Sequence, residues 1–275
     1  MKTIAVIGCG RIAKNAHFPA LTTMDDVRIK YACDAILEKA VAVKQTFPKI
    51  ENAISDYKIA LADEEVEAVF VLTPNYEHYT ITMEALKANK HVLCEKPITI
   101  NYALSKEMAE EAEKQGKILT IGVCNRYHKS VEMLEQMNRE GKFGNIYHVY
   151  CAFRKFRNIP GLGGDFTTKS QSGGGVLIDW GVHYLDLVMY CMNDPEPKTV
   201  SAQTYSKLAT NMRDYVFPFI KSLHSTKATA FSKFMKDAQF AVTNPYILDK
   251  MIKALSDETL GFNDKESVFY EEEFK

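Results

Sequence analysis

The sequence predicts an α/β fold built on a doubly wound parallel sheet, and three observations carry that prediction. An apolar run at the N-terminus passes straight into a glycine turn and then a helical pattern. Further short apolar runs follow, separated by helical segments, as parallel strands joined by right-handed crossovers require. The polar residues just after these runs, Asp34, Thr73, Asn75, Lys96 and Asn125, then share the strand C-terminal edge, where open parallel sheets bind ligands.

The opening stretch MKTIAVIGCGRIA sets Gly8, Gly10 and Ala13 in a G-x-G-x-x-A pattern. Gly8 and Gly10 allow a tight turn whose N–H groups approach phosphate oxygens at the positive end of the next helix, and Ala13 lets that helix lie close on the sheet. Arg11 and Ile12 sit inside the same candidate pyrophosphate cradle. The helical pattern from Arg11 to Leu21 meets Pro19 and should end or kink near Phe18. Val27 to Cys33 reads as a second strand ending at Asp34, which lies 24 residues after Gly10. That is close to the ~20-residue spacing at which a carboxylate accepts hydrogen bonds from the adenosine ribose. A carboxylate repels a 2′-phosphate and the following Ala35 offers no cation, so NAD is favoured over NADP. The lesser alternative, compatible with the ribose role, is that Asp34 merely caps a helix at Ile36 to Thr46.

Asp56 to Asp63 reads as helix and Ala68 to Leu72 as strand, with Thr73-Pro74-Asn75 at its end. His78 opens a helix at Tyr79 to Ala88 and by itself reads as a surface or capping group. The strand His91 to Cys94 leads into Glu95-Lys96-Pro97, which puts a lysine at the shared sheet edge, where it can handle a proton. Asn101 caps a helix that ends at Gly116, Ile118 to Val123 forms the last parallel strand, and Asn125-Arg126-Tyr127 follow it. A domain boundary here divides the chain into residues 1–124 and 125–275.

In the second region a helix at Val131 to Glu140 ends in Gly141, and the alternation across Asn145 to Lys155 predicts a strand with one covered face. Gly161, Gly163 and Gly164 mark a loop ending at Asp165. The run Gly173 to Gly175 opens a helix at Val176 to Met192, in which Asp179 and His183 share a face one turn apart. An imidazole beside a carboxylate is a proton-handling pair, and the apolar neighbours Val176, Leu177, Ile178, Trp180 and Leu187 leave little polar face for solvent. After Tyr205 clear alternation is scarce: Ala228 to Val242 and Pro245 to Leu255 read as helices and Val268 to Phe274 as a short strand.

Composition narrows the partners. Thirty-four basic against 35 acidic residues give a net charge of -1, so no nucleic acid partner is expected despite the run Arg154-Lys155-Phe156-Arg157. No apolar run reaches the ~18 residues that span a bilayer, so no membrane association is expected. The six cysteines lack C-x-x-C spacing and read as reduced, buried small hydrophobes, implying a cytoplasmic protein without a metal site.

Taken together, AVIGCGRIA, TPNYEH (73–78), CEKPIT (94–99) and GGGVLIDWGVHYLDL (173–187) resemble the Gfo/Idh/MocA family, whose namesakes include glucose-fructose oxidoreductase and inositol 2-dehydrogenase. The resemblance covers Met1 to about Tyr205. It implies an N-terminal Rossmann domain and a C-terminal α/β domain with a mainly antiparallel sheet, which after Tyr205 is either shortened or diverged or is in part absent from this sequence. It implies a catalytic trio of Lys96, Asp179 and His183, with the Thr73-Pro74-Asn75 and Glu95-Lys96-Pro97 segments at the nicotinamide end. Arg126, Tyr127, Arg154 and Asp165 correspond to positions that hold substrate hydroxyls. The activity implied is hydride transfer between NAD and a secondary alcohol of a sugar or cyclitol, in a homodimer or homotetramer. His183 then takes the hydroxyl proton, Lys96 hydrogen-bonds the same oxygen, and Asp179 orients His183 or binds a neighbouring hydroxyl. The rival readings are a reductase of a non-sugar carbonyl or imine, and a non-catalytic NAD-sensing or scaffold protein on the same fold.

Overall fold

The computed structural model describes residues 1–153 and 169–203, and the described residues through Pro195 form one compact unit. Its centre is a six-stranded sheet in the order β3-β2-β1-β4-β5-β6. The strands are β1 (Lys2–Ile7), β2 (Val27–Cys33), β3 (Ile50–Ile54), β4 (Ala68–Val71), β5 (His91–Cys94) and β6 (Leu119–Ile121). Every neighbouring pair is parallel.

The helices are α1 (Phe18–Leu21), α2 (Leu37–Thr46), α3 (Tyr57–Ala62), α4 (His78–Lys87), α5 (Tyr102–Gln115), α6 (Lys129–Arg139), α7 (Lys169–Ser172) and α8 (Val182–Cys191). Short 3-10 turns at Asn75–Glu77 and Cys124–Tyr127 follow β4 and β6. Helix ends match their chemistry. Asp56 accepts the Lys58 N–H before α3, Asn101 accepts the Leu104 N–H before α5, and Gly116 closes α5 in the left-handed region.

Strand side chains alternate between two buried layers, which is why the runs are continuously apolar. Ala5, Ile7, Val69, Val71, Val92 and Cys94 join one core with Ala60, Leu61, Leu86 and Met108 from the helices α3, α4 and α5. Ile4, Val6, Ile29 and Ala32 face the other with Phe18, Leu21, Ala40 and Val43 from α1 and α2. Helices on both faces make the sheet doubly wound, and order reversal between β1 and β4 opens a crevice at their C-terminal ends.

The structure corrects several expectations. Ile50–Ile54 is a strand that the pattern does not announce, because at the sheet edge only Ile50 of the five is buried. The first helix neither stops nor kinks into a loop at Phe18. It winds as a π-helix over Ala13–His17 and continues as α1, with Pro19 in the first turn of α1, where its missing N–H does least harm. Asn145 to Phe153 contains no strand, since alternation specifies a face but a strand also needs a hydrogen-bonding neighbour, and no described strand pairs with it. Only Cys9, Cys33 and Cys94 of the six free cysteines are buried; Cys124 and Cys151 are exposed. Arg154, Asp165, the loop at 161–164 and the elements expected at 228–242, 245–255 and 268–274 lie outside the described residues, as does most of the span expected to form the antiparallel sheet. Among the described residues no helix is long and apolar enough to cross a membrane.

Candidate active site

The crevice is shaped first by Gly8. Its φ of +100° is costly for any residue with a side chain, and an added Cβ would lie 2.5 Å from the Leu72 carbonyl oxygen at the end of β4. Its N–H donates to the Cys33 carbonyl at 2.8 Å, so the turn is fastened to β2 as well. Ahead of Gly10 the space is open, with nothing within 4 Å of where a Cβ would stand. Ala13 is fully buried behind it, whereas Arg11 and Ile12 stay exposed in the first helical turn.

Asp34 sits across the crevice and is not the cap of α2, whose N-cap is Ile36. One carboxylate oxygen accepts the Cys9 N–H and the other the Ile36 N–H, each at 3.0 Å. Each oxygen keeps a lone pair for a ribose hydroxyl. At the end of β4 the Thr73 hydroxyl is buried without a hydrogen-bond partner. An open glycine face, a spare carboxylate and an orphan hydroxyl along one edge fit a dinucleotide.

The segments beside this crevice are held by polar contacts to main chain. Asn75 donates from Nδ2 to the Ser172 carbonyl at 3.0 Å, tying the half-buried turn after Thr73 and Pro74 to α7. His78 is 1% exposed, so it is neither a surface group nor a wall of the crevice. Its Nδ1 lies 2.7 Å from the Pro97 carbonyl and its Nε2 2.9 Å from the Thr73 carbonyl, joining the Thr73-Pro74-Asn75 and Glu95-Lys96-Pro97 segments. Burial pushes the His78 pKa down despite the two carbonyls.

Glu95 reaches the other way. Its carboxylate pairs with His17 at 2.8 Å, accepts the Lys96 N–H at 3.1 Å, and would lie 3.0 Å from a Cβ at position 122, where the chain has Gly122. Burial works to raise its pKa, but the His17 hydrogen bond and nearby positive charge prevail and hold it below the ordinary carboxylate value. Lys96 then extends to α8's approach: its Nζ donates to the Asp179 carbonyl at 2.8 Å and to Asp179 Oδ1 at 2.9 Å. Asp179 lies in a π-helical turn, Leu177–Gly181, that leads into α8. The carboxylate is thus hydrogen-bonded to Lys96, and its charge also acts on the His183 ring.

His183 follows on α8, half buried, with Nδ1 buried and unpaired. Burial first, and the Lys96 charge second, hold its pKa below the usual imidazole value. Its buried Nδ1 thus has no hydrogen-bond partner, and the Lys96 charge acts on the ring. Trp180 stands 5.9 Å from the His183 ring and stacks on Phe153 at 4.6 Å.

Past β6, Asn125 is half buried and Tyr127 is 79% exposed. Arg126 turns away toward α8, where its Nε donates to Asp186 at 2.8 Å. Sequence reasoning did not single out His17, Ser172 or Asp186. His17 and Ser172 act at separations of 78 and 97 residues and carry no local signal, whereas Asp186 stands three residues after His183 on the same helix and could have been found from that spacing.

Residues 2–123 match the family model described as oxidoreductase family, NAD-binding Rossmann fold, and residues 131–235 match the GFO/IDH/MocA C-terminal domain. D-glucoside 3-dehydrogenase of Escherichia coli (strain K12) is 33% identical over 207 residues, covering 75% of this chain and 58% of that protein. GenD2 from gentamicin A biosynthesis, in complex with NAD, superposes with a TM-score of 0.64 at 26% identity over 70% of this chain and 54% of its own. KijD10, a 3-ketoreductase from Actinomadura kijaniata in complex with NADP and TDP-benzene, gives 0.57 at 25% identity over 68% and 56%. The chain spans between 51% and 60% of the length of such curated relatives. Two models of one family thus account for both halves of the matched sequence, and the chain belongs to the Gfo/Idh/MocA oxidoreductase family, with an NAD(P)-binding Rossmann domain at its N-terminal end.

Proposed function

We propose that this chain carries the catalytic site of an NAD-dependent dehydrogenase acting on a secondary hydroxyl of a sugar or cyclitol. The observation that carries the reading is the convergence of a lysine held by Asp179 with His183, whose Nδ1 is buried and unpaired and whose ring feels the Lys96 and Glu95 charges. Relatives named D-glucoside 3-dehydrogenase and myo-inositol 2-dehydrogenase support the substrate class.

When bound, nicotinamide supplies a hydride acceptor at C4. His183 takes the hydroxyl proton as the C–H hydride leaves, so the alcohol loses two electrons and two hydrogens to become a ketone. Lys96 donates a hydrogen bond to the same oxygen and steadies the negative charge that develops on it. Asp179 keeps the lysine ammonium in place, and Glu95 fixes the Lys96 backbone from the other side. Gly8, Gly10, Arg11, Ile12, Asp34, Thr73, Pro74, Asn75 and Asn125 form the cofactor wall, with His78 bracing it from below. The carboxylate of Asp34 favours NAD. Tyr127, with Arg154 and Asp165, belongs to the substrate side, and the working unit is a homodimer or homotetramer in the cytoplasm.

The test is a panel of hexoses, glucosides, nucleotide sugars, polyols and inositols, run with NAD and with NADP and followed by nicotinamide absorbance. Lys96→Met and His183→Gln should each lower kcat by about 100-fold or more while leaving the NAD Kd nearly unchanged. Full turnover in both variants on an identified substrate overturns the assignment of roles. Tight NAD binding with no turnover on any compound favours a non-catalytic, cofactor-sensing protein.

A further inference from the structure

Arg126 has a position that suits a substrate contact but a geometry that does not. Its guanidinium forms a two-pronged ion pair with Asp186, through Nε to Oδ2 at 2.8 Å and through Nη2 to Oδ1. The carboxylate is 15% exposed, and the guanidinium also lies over the Tyr190 ring, 4.9 Å from its centroid. A fork-to-fork pair of this kind fixes direction as well as distance. The donors facing α8 are therefore already occupied, and the ring beneath holds the plane of the group.

The elements joined are the 3-10 turn after β6 and helix α8. Asp186 follows His183 by three residues, on the same side of α8 and one turn along. The helix is thereby pinned at two points: Lys96 holds it through Asp179 before His183, and Arg126 holds it through Asp186 after. We propose that Arg126 and Asp186 are a positioning pair for His183, and that Arg126 serves the helix rather than a substrate hydroxyl. The inference rests on the reading of His183 as the proton acceptor.

The pair also balances charge. His183 is faced by Lys96 and Glu95 from the end of β5 and by Asp179 and Asp186 from its own helix segment. Arg126 is faced by Asp186, Asp194 and Tyr190. Removing the arginine leaves the Asp186 carboxylate uncompensated and favours imidazolium at His183. Removing the carboxylate leaves the guanidinium uncompensated and favours neutral imidazole. Opposed shifts show that both charges reach the imidazole, and a kcat loss at unchanged KM shows that the pair also sets its position.

The experiment is an NMR titration of the His183 ring in the full chain, its signal assigned by loss in His183→Gln, with steady-state kinetics alongside. Arg126→Gln should raise the His183 midpoint and Asp186→Asn should lower it, each with a kcat loss of about 10- to 100-fold and a substrate KM close to that of the parent. The double variant should return the midpoint toward the parent value while kcat stays low. Arg126→Lys, which keeps charge without the fork, should leave the midpoint in place with a smaller kcat loss. If both single variants leave the midpoint unmoved or shift it the same way, the pair is not a positioning device for His183. If Arg126→Gln raises KM more than about tenfold with kcat intact, Arg126 is a substrate contact and the proposal fails. Should the parent show no turnover on any substrate, the dehydrogenase reading fails by itself, and the opposed midpoint shifts still decide whether the pair governs His183.

Discussion

Strand β1 and helix α8 are both apolar runs that carry the site, yet they are held by different physics. Five of the six residues of β1 are buried between two helical layers, whereas none of the ten residues of α8 is buried among the described residues, and Leu185 is 58% exposed. The location of β1 follows from area removed from water on both faces, a force without direction that tolerates many sequences of similar volume. The location of α8 follows instead from a few directed contacts: Lys96 to Asp179, Arg126 to Asp186, and the stack of Phe153 on Trp180 and Tyr184. The wall that carries Gly8 is thus set by bulk packing, and the proposed proton-handling wall by individual polar atoms. Single substitutions should unfold the first and misalign the second.

The largest effect is expected at Gly8. Gly8→Val forces a side chain into left-handed backbone and against the Leu72 carbonyl, and it should cost about 3 kcal/mol or more together with NAD binding. A thermal melt and NAD calorimetry would measure both, and a stable variant that binds NAD would break the contrast between the two walls. Next comes Asn75→Ala, which removes the bond to the Ser172 carbonyl but no core. It should cost about 1 kcal/mol while turnover falls roughly tenfold. A large melt shift without a kinetic change would mean that this contact belongs to the packing regime after all. The smallest effect concerns His78, whose depressed pKa means that the unfolded chain binds the proton more readily than the folded one. Stability from this group is complete above the ordinary imidazole value and is lost as pH falls through and below it. The melting temperature should therefore decline on acidification below pH ~6.5, and His78→Gln should reduce that slope. An unchanged slope would remove His78 from the list of pH-sensitive supports.

The contrast explains what was legible. Five strands, the capped α3 and α5, the glycine turn and the Asp179/His183 helix follow from local patterns of burial and capping. Ile50–Ile54 does not, because an edge strand with Glu51 and Asn52 exposed has no continuous apolar signal. The strand expected from Asn145 fails for the opposite reason, since its alternation is local but strand pairing is not. Within the site, the position of Lys96 past β5 could be read from strand order. That Asp179 would hold Lys96 could not, because an ion pair across 83 residues leaves no spacing to read. The same holds for Arg126, which the family resemblance sets on the substrate side and whose partner, Asp186, lies 60 residues away in sequence.

Asp34 carries one more consequence. Under the NAD reading proposed above, its carboxylate repels a 2′-phosphate, and the same two oxygens also fasten the Cys9 and Ile36 N–H groups on either side of the crevice. Cofactor preference and loop geometry are therefore inherited together. On that reading, exchanging Asp34 in a drift toward NADP also removes the acceptor of the Cys9 and Ile36 N–H groups, so a compensating acceptor has to come first. The order of substitutions, and not only their identity, is written into this one side chain.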